Sequence, residues 1–166
     1  MGELHPAMGA PEARALAERV AASMYARDTA THTLGIRIVR VEPGFAELAM
    51  AVRADMLNGH EICHGGFIFT LADSAFAYAC NSYNLNTVAS GCAIEFTAPA
   101  RAGEILTARA HERQLAGRTG VYDVEVANDR GETVALFRGK SYRIKGHLVE
   151  EDARASAGGG RHATGA

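Results

Sequence analysis

Asp73 is the only formal charge in the segment from His64 to Tyr83, HGGFIFTLADSAFAYACNSY. A carboxylate among such apolar neighbours is costly unless it is partnered or put to use. Burial raises the pKa of a carboxyl, which suits a general base. The same segment opens with His64, Gly65 and Gly66. If the segment is helical, its first N–H groups have no internal partners and lie at the positive end of the dipole. Glycine there lets a ligand oxygen come close to the backbone, and such donors stabilise a developing oxyanion. The chemistry suggested is addition to a polarised carbonyl. Plainer readings stand beside it: the glycines give the helix a tight entry, and Asp73 is a structural residue bonded to Ser74 or to a nearby loop.

Spacing narrows the choice. Eight residues separate Gly65 from Asp73, about 12 Å of helix rise, too far for both to act on one carbonyl held at their own helix start. A two-fold dimer with antiparallel helices would bring one subunit's Asp73 to the other's Gly65. His64 either orients substrate or supports the helix start. His60 and His64 are four apart, but no third ligand follows and Gly65–Gly66 interrupts the pattern, so no metal site is expected. No G-x-S-x-G is present, so serine chemistry is not expected either. The most basic stretch is FRGKSYR, residues 137–143. As a strand it puts Arg138 and Lys140 on one face, where they contact the phosphates of a nucleotide-like ligand or are simply solvated.

The elements that must hold these residues follow from periodicity. PEARALAERVAASMYAR, residues 11–27, has apolar residues at helical spacing, with Pro11 and Glu12 suited to a helix start. Ile36 to Val41 and FAELAMAV from Phe45 form a hairpin about Pro43–Gly44. His64 to about Tyr83 is a helix apolar on every side, hence buried. Four strands follow, at roughly 86–98, 105–115, 119–128 and 133–145. Helix, hairpin, buried helix and four strands make an α+β chain, with an antiparallel sheet curled around one central helix. The sheet covers only part of that helix, and a second subunit supplies the rest. Residues 1–10 read as a flexible lead-in, 11–148 as one domain, and the Gly/Ala-rich 149–166 as a disordered tail.

Composition sets limits on function. With 166 residues and a net charge of −2, the chain lacks the basic surface that nucleic-acid binding needs. No apolar run spans a bilayer and no signal peptide is visible. Three cysteines without a C-x-x-C pair suggest reduced thiols and a cytoplasmic protein.

HGGFIFTLADSAFAYACNSYN, preceded by MLNGHEICHGG and followed by TVASGCAIEFTAPARAGEILTARA, resembles the phenylacetate-pathway acyl-CoA thioesterases of the hot-dog superfamily. GVYDVEVAN and TVALFRGKSYRI are similar to the later strands of the same family, so the resemblance runs from about Tyr25 to Ile144. It implies a hot-dog fold and hydrolysis of phenylacetyl-CoA or its ring-hydroxylated relatives. It also implies a homodimer with interface sites, doubled to a tetramer, and no cofactor beyond the CoA of the substrate. By resemblance, Asp73 is the catalytic carboxylate, as base or nucleophile, and Gly65 N–H polarises the carbonyl. His64 and Asn58 orient carbonyl or water, and Gly66 and Phe67 line the substrate. Relatives often carry an asparagine near the end of the first helix, where this chain has Arg27 beside Asp28. Two other functions are compatible with the fold. A dehydratase or hydratase would use His64 and Asp73 on a thioester-linked chain, and a non-catalytic acyl-CoA binder would only sense it.

Overall fold

A computed structural model describes residues 8–150. Helix α1, Ala10–Tyr25, buries Leu16, Ala17, Val20 and Ala21, one face at helical spacing. Glu12 closes its first turn by accepting from the Gly9 N–H at 3.0 Å. The sequence reading had no element between here and the hairpin, yet α2 occupies Thr29–Leu34. Its six residues are too few to show a period, but its end signals are legible. Asp28 caps it by accepting from the Thr31 N–H at 3.1 Å, and Gly35 ends it at φ +69°.

Strands β1 (Arg37–Glu42) and β2 (Phe45–Ala51) form the expected hairpin. Gly44 turns it at φ +71°, where a side chain would also strike the Tyr83 hydroxyl. After a short 3-10 turn at Ala54–Met56 comes the central helix α3, Gly65–Asn81. Strands β3 (Thr87–Phe96), β4 (Ile105–Ala116), β5 (Thr119–Ala127) and β6 (Thr133–Arg143) complete the chain. The tail from 151 and the lead-in before Met8, both read from sequence as loose, lie outside the described residues. Leu148 and Val149, placed at the tail's edge by that reading, are hydrogen-bonded to the Asn84 side chain.

All six strands pair antiparallel in the order β1-β2-β4-β5-β6-β3. Irregularities at Ile38/Arg40, Ala89/Gly91, Glu112/Gln114 and Val126/Ala127 bend the ladders, as extra strand residues do. The sheet curls round α3, whose Leu71, Ala72, Ala75, Phe76 and Ala79 are buried against Leu48, Leu106, Ala108, Ala110, Val124 and Phe137. Alanines at Ala72, Ala75 and Ala79 on the helix, and at Ala108 and Ala110 on β4, let the two layers approach closely. Burial alternates along β5, with Tyr122, Val124 and Val126 facing the helix.

The helix is not covered on all sides. Thr70, Asp73, Ser74 and Ala77 are only half-buried and form a stripe of small or polar residues along α3. Beside that stripe runs β3, which pairs with β6 alone and is exposed along most of its length. Val88 is 44% exposed and Phe96 52%. A ten-residue strand with one free edge and apolar exposed side chains calls for a partner. Among the described residues no helix is long and apolar enough to cross a membrane.

Candidate active site

Helix α3 and strand β3 lie antiparallel, side by side, and three contacts fix their register. At one end the Asn81 carboxamide donates to the Thr87 carbonyl at 2.9 Å and accepts the Thr87 N–H at 2.9 Å. Midway, the Cys92 thiol donates to Asp73 Oδ1 at 3.8 Å. At the other end, the Phe96 ring lies over Gly65, where an added Cβ would come within 2.8 Å of Phe96 Cζ. Asp73 and Gly65 of one chain therefore sit at different points along β3. Cys92 to Phe96 is four strand residues, about 13 Å, in agreement with the helix rise between Gly65 and Asp73.

The head of α3 is organised by His64. Its Nδ1 accepts the Gly66 N–H at 3.0 Å, capping the helix and placing the ring proton on Nε2. The His64 ring also meets Phe67 edge-on, with centroids 6.2 Å apart. No acceptor among the described residues takes the Gly65 N–H. The first free donor of the helix is thus left available while the second is satisfied. Gly65 also has a structural reason to be glycine, because Phe96 occupies the space of a side chain.

Asn58 lies in the turn before α3. Its Oδ1 accepts the His60 N–H at 2.9 Å, and its backbone closes on Ile62 and Glu61. The side chain thus shapes the 58–62 turn, whose Glu61 has φ 58°. His64 N–H donates to Met56 at 2.8 Å and Cys63 N–H to Ala100 at 2.8 Å, which ties this turn to the body of the fold.

Asp73 makes no hydrogen bond to Ser74, and its Oδ2 has no partner among the described residues. Burial pushes its carboxyl above the usual carboxylate range, and the Cys92 thiol offsets part of that rise. The purely structural reading of Asp73 loses its main support, since neither Ser74 nor a loop donor holds it. Cys92 and Phe96 were not singled out from sequence. Alternation along β3 puts Cys92, Ile94 and Phe96 on one face, but only the tertiary pairing of β3 with α3 brings that face to Asp73 and Gly65.

Arg138 and Lys140 share a face, as expected from their spacing, but it is the outer face of the sheet, away from α3. Arg138 is bidentate to Asp123, at 2.7 and 2.9 Å, and Arg113 joins the same carboxylate at 3.3 Å. A groove of about 490 Å³ runs across this face between Glu95, Arg109, His111, Arg113, Asp123 and Arg138. Arg27 is exposed at the end of α1 with its Nε on the Ser23 carbonyl at 3.2 Å. Its neighbour Asp28 is the residue that reaches α3, accepting from the Tyr78 hydroxyl at 3.3 Å. Among the described residues no group of three or more His, Cys, Asp or Glu is arranged to hold a metal.

A single helix gripped by a curled antiparallel sheet is the hot-dog architecture, and a half-buried carboxylate midway along the helix with a free N–H at its head can act on a carbonyl. The thioesterase superfamily model matches residues 60–135, the stretch that contains these groups. Over 129 residues the chain is 54% identical to the acyl-coenzyme A thioesterase PaaI of Escherichia coli, covering 78% of this chain and 92% of that one. The solved structure of the E. coli PaaI protein from the phenylacetic acid degradation operon superposes with a TM-score of 0.80 at 52% identity, covering 81% of this chain and 97% of that one. A variant of the phenylacetic acid degradation protein PaaI from Thermus thermophilus gives a TM-score of 0.68 at 43% identity, over 70% of this chain and all of that one, 100%. The chain belongs to the thioesterase superfamily.

Proposed function

We propose that the protein hydrolyses phenylacetyl-CoA, or its ring-hydroxylated relatives, to the free acid and CoA. The observation that carries the reading is Asp73, a half-buried carboxylate on the half-covered side of α3 with a thiol as its hydrogen-bond partner. The 54% identity to an acyl-coenzyme A thioesterase supports the substrate class, and that relative's phenylacetic acid degradation operon supports the acyl group. No cofactor takes part, since the chemistry needs only a base, a carbonyl-polarising donor and water.

The site is composite. Two copies pair their β3 strands antiparallel, and the small-residue stripe of α3 lets the two helices run close together. For Asp73, level with Cys92, to meet the partner's helix start, level with Phe96, the two-fold axis passes near Ile94. The thioester carbonyl oxygen then rests on the free Gly65 N–H of one subunit. Asp73 of the other takes a proton from water as the water oxygen bonds to the carbonyl carbon. The tetrahedral intermediate collapses, the C–S bond breaks, and the CoA thiolate recovers the proton from Asp73. His64 holds the helix start in shape, Asn58 orients the entering carbonyl or water, and Gly66 and Phe67 line the acyl group.

Dimers stacked through their outer faces would form the tetramer. In it, Arg138 and Lys140, on the outer face of the sheet, contact the phosphates of a CoA bound by the adjoining dimer. A dehydratase would need the His64 Nε2–H as its acid, and that reading is disfavoured by the 54% identity to an acyl-coenzyme A thioesterase.

The test is CoA release from phenylacetyl-CoA, read with a thiol reagent, for the wild type and Asp73→Asn. The substitution keeps shape and removes the base, so a loss of about 10²–10⁴-fold in kcat is expected. Near wild-type release by Asp73→Asn sinks the assignment.

A further inference from the structure

We infer that Cys92 is a positioning residue for Asp73: its thiol occupies Oδ1, fixes the carboxylate plane, and leaves Oδ2 as the oxygen presented to water. The inference rests on the reading of Asp73 as the general base.

Three observations carry it. The first is the contact itself, 3.8 Å from Sγ to Oδ1, made across elements nineteen residues apart in sequence. The second is the lack of competition. Neither Ser74 nor any other donor among the described residues reaches Asp73, and Oδ2 is left open. The third is the way the fold holds the thiol in place. Cys92 faces inward on β3 because its register partner on β6 is Gly139, an inward-facing position. Gly139 has no side chain, and the Phe76 ring occupies that space instead, 2.9 Å from where a Cβ would stand. The Asn81–Thr87 clamp then locks the sliding of β3 along α3. A carboxylate on a helix can rotate about its side-chain bonds, and one fixed oxygen removes most of that freedom.

The groups acting on Asp73 are few. The Cys92 thiol faces it from β3, and Cys80, two turns along α3 from it, feels its charge. The charged residues nearest Cys92 in sequence and register, Glu95, Arg138 and Lys140, all face the outer side of the sheet. Donation by the thiol favours the ionised carboxylate, so it opposes the effect of burial and extends the working form of the base to lower pH.

The experiment compares pH profiles of kcat/KM for CoA release from phenylacetyl-CoA by wild type, Cys92→Ala, Cys92→Ser and Asp73→Asn. Cys92→Ala should move the acid limb up by about half a pH unit, the size expected for losing one weak donor, with KM unchanged and the alkaline plateau lowered less than threefold. Cys92→Ser, which restores a donor, should return the limb to the wild-type position or below it. Superimposable profiles for Cys92→Ala and wild type, or a serine variant that behaves like the alanine one, would overturn the inference while leaving Asp73 as base. Near wild-type turnover by Asp73→Asn overturns the base reading and this inference with it.

Discussion

Gly139→Ala tests how the helix is held against the sheet. In β6 the residue faces α3, and a Cβ built there lies 2.9 Å from three atoms of the Phe76 ring. An ordinary carbon–carbon contact is about 3.5–4.0 Å, so something must move by more than half an ångström. Phe76 is 1% exposed and packs at 5.5 Å from Tyr122 and 5.9 Å from Phe137, measured between ring centroids. The ring has nowhere to go, so the helix or the strand must shift. Overpacking of this kind costs about 1–3 kcal/mol. Against it stands the gain from replacing glycine within a strand, about 0.5–1 kcal/mol. The net expectation is a loss of about 1–2 kcal/mol, or a melting temperature lower by roughly 2–8 °C for a domain of this size. Phe76 is also three residues from Asp73 on α3, and Gly139 is the register partner of Cys92. A helix pushed off the sheet there lengthens the Asp73–Cys92 contact, so kcat for phenylacetyl-CoA should fall along with stability. Thermal unfolding at fixed protein concentration and steady-state CoA release measure the two effects. Phe76→Leu in the Gly139→Ala background should recover part of both. A variant that melts at or above the wild-type temperature would refute the packing argument outright.

Two further outcomes follow from the same geometry. Burial raises the Asp73 carboxyl, so the folded state holds its proton longer than the unfolded chain does, and this residue's contribution to stability declines as pH rises from near 3.8 through the folded-state value. Asp73→Asn should therefore melt above the wild type at pH 7.5, by a margin that shrinks at pH 4.5; a margin independent of pH would contradict it. Co-expression of Asp73→Asn subunits with Gly65→Ala subunits should give mixed dimers in which one site in two has both groups intact. Such dimers should show about half of wild-type activity, and a randomly paired population about a quarter, whereas no recovery above either parent would rule out the two-subunit site.

Much of this protein is written in local pattern. The apolar periods of α1, the hairpin and β4 to β6, the length of apolar chain in α3, and the turn residues that bound β3 place these elements from sequence. The lone charge at Asp73 and the His64-Gly65-Gly66 opening of α3 are likewise visible in the sequence, since their peculiarity is one of residue type against neighbours. Even the separation of Gly65 and Asp73 is a sequence fact, fixed by helix rise. The short α2 escaped because its six residues show no period, although Asp28 and Gly35 mark its ends. What only the tertiary structure decided is which strand lies beside α3 and at what register. That choice is made by long-range packing of Phe76 over Gly139 and by the Asn81–Thr87 clamp, between residues whose local patterns are silent about each other. It brings Cys92 to Asp73 and Phe96 over Gly65, and it turns Arg138 and Lys140 to the far face of the sheet.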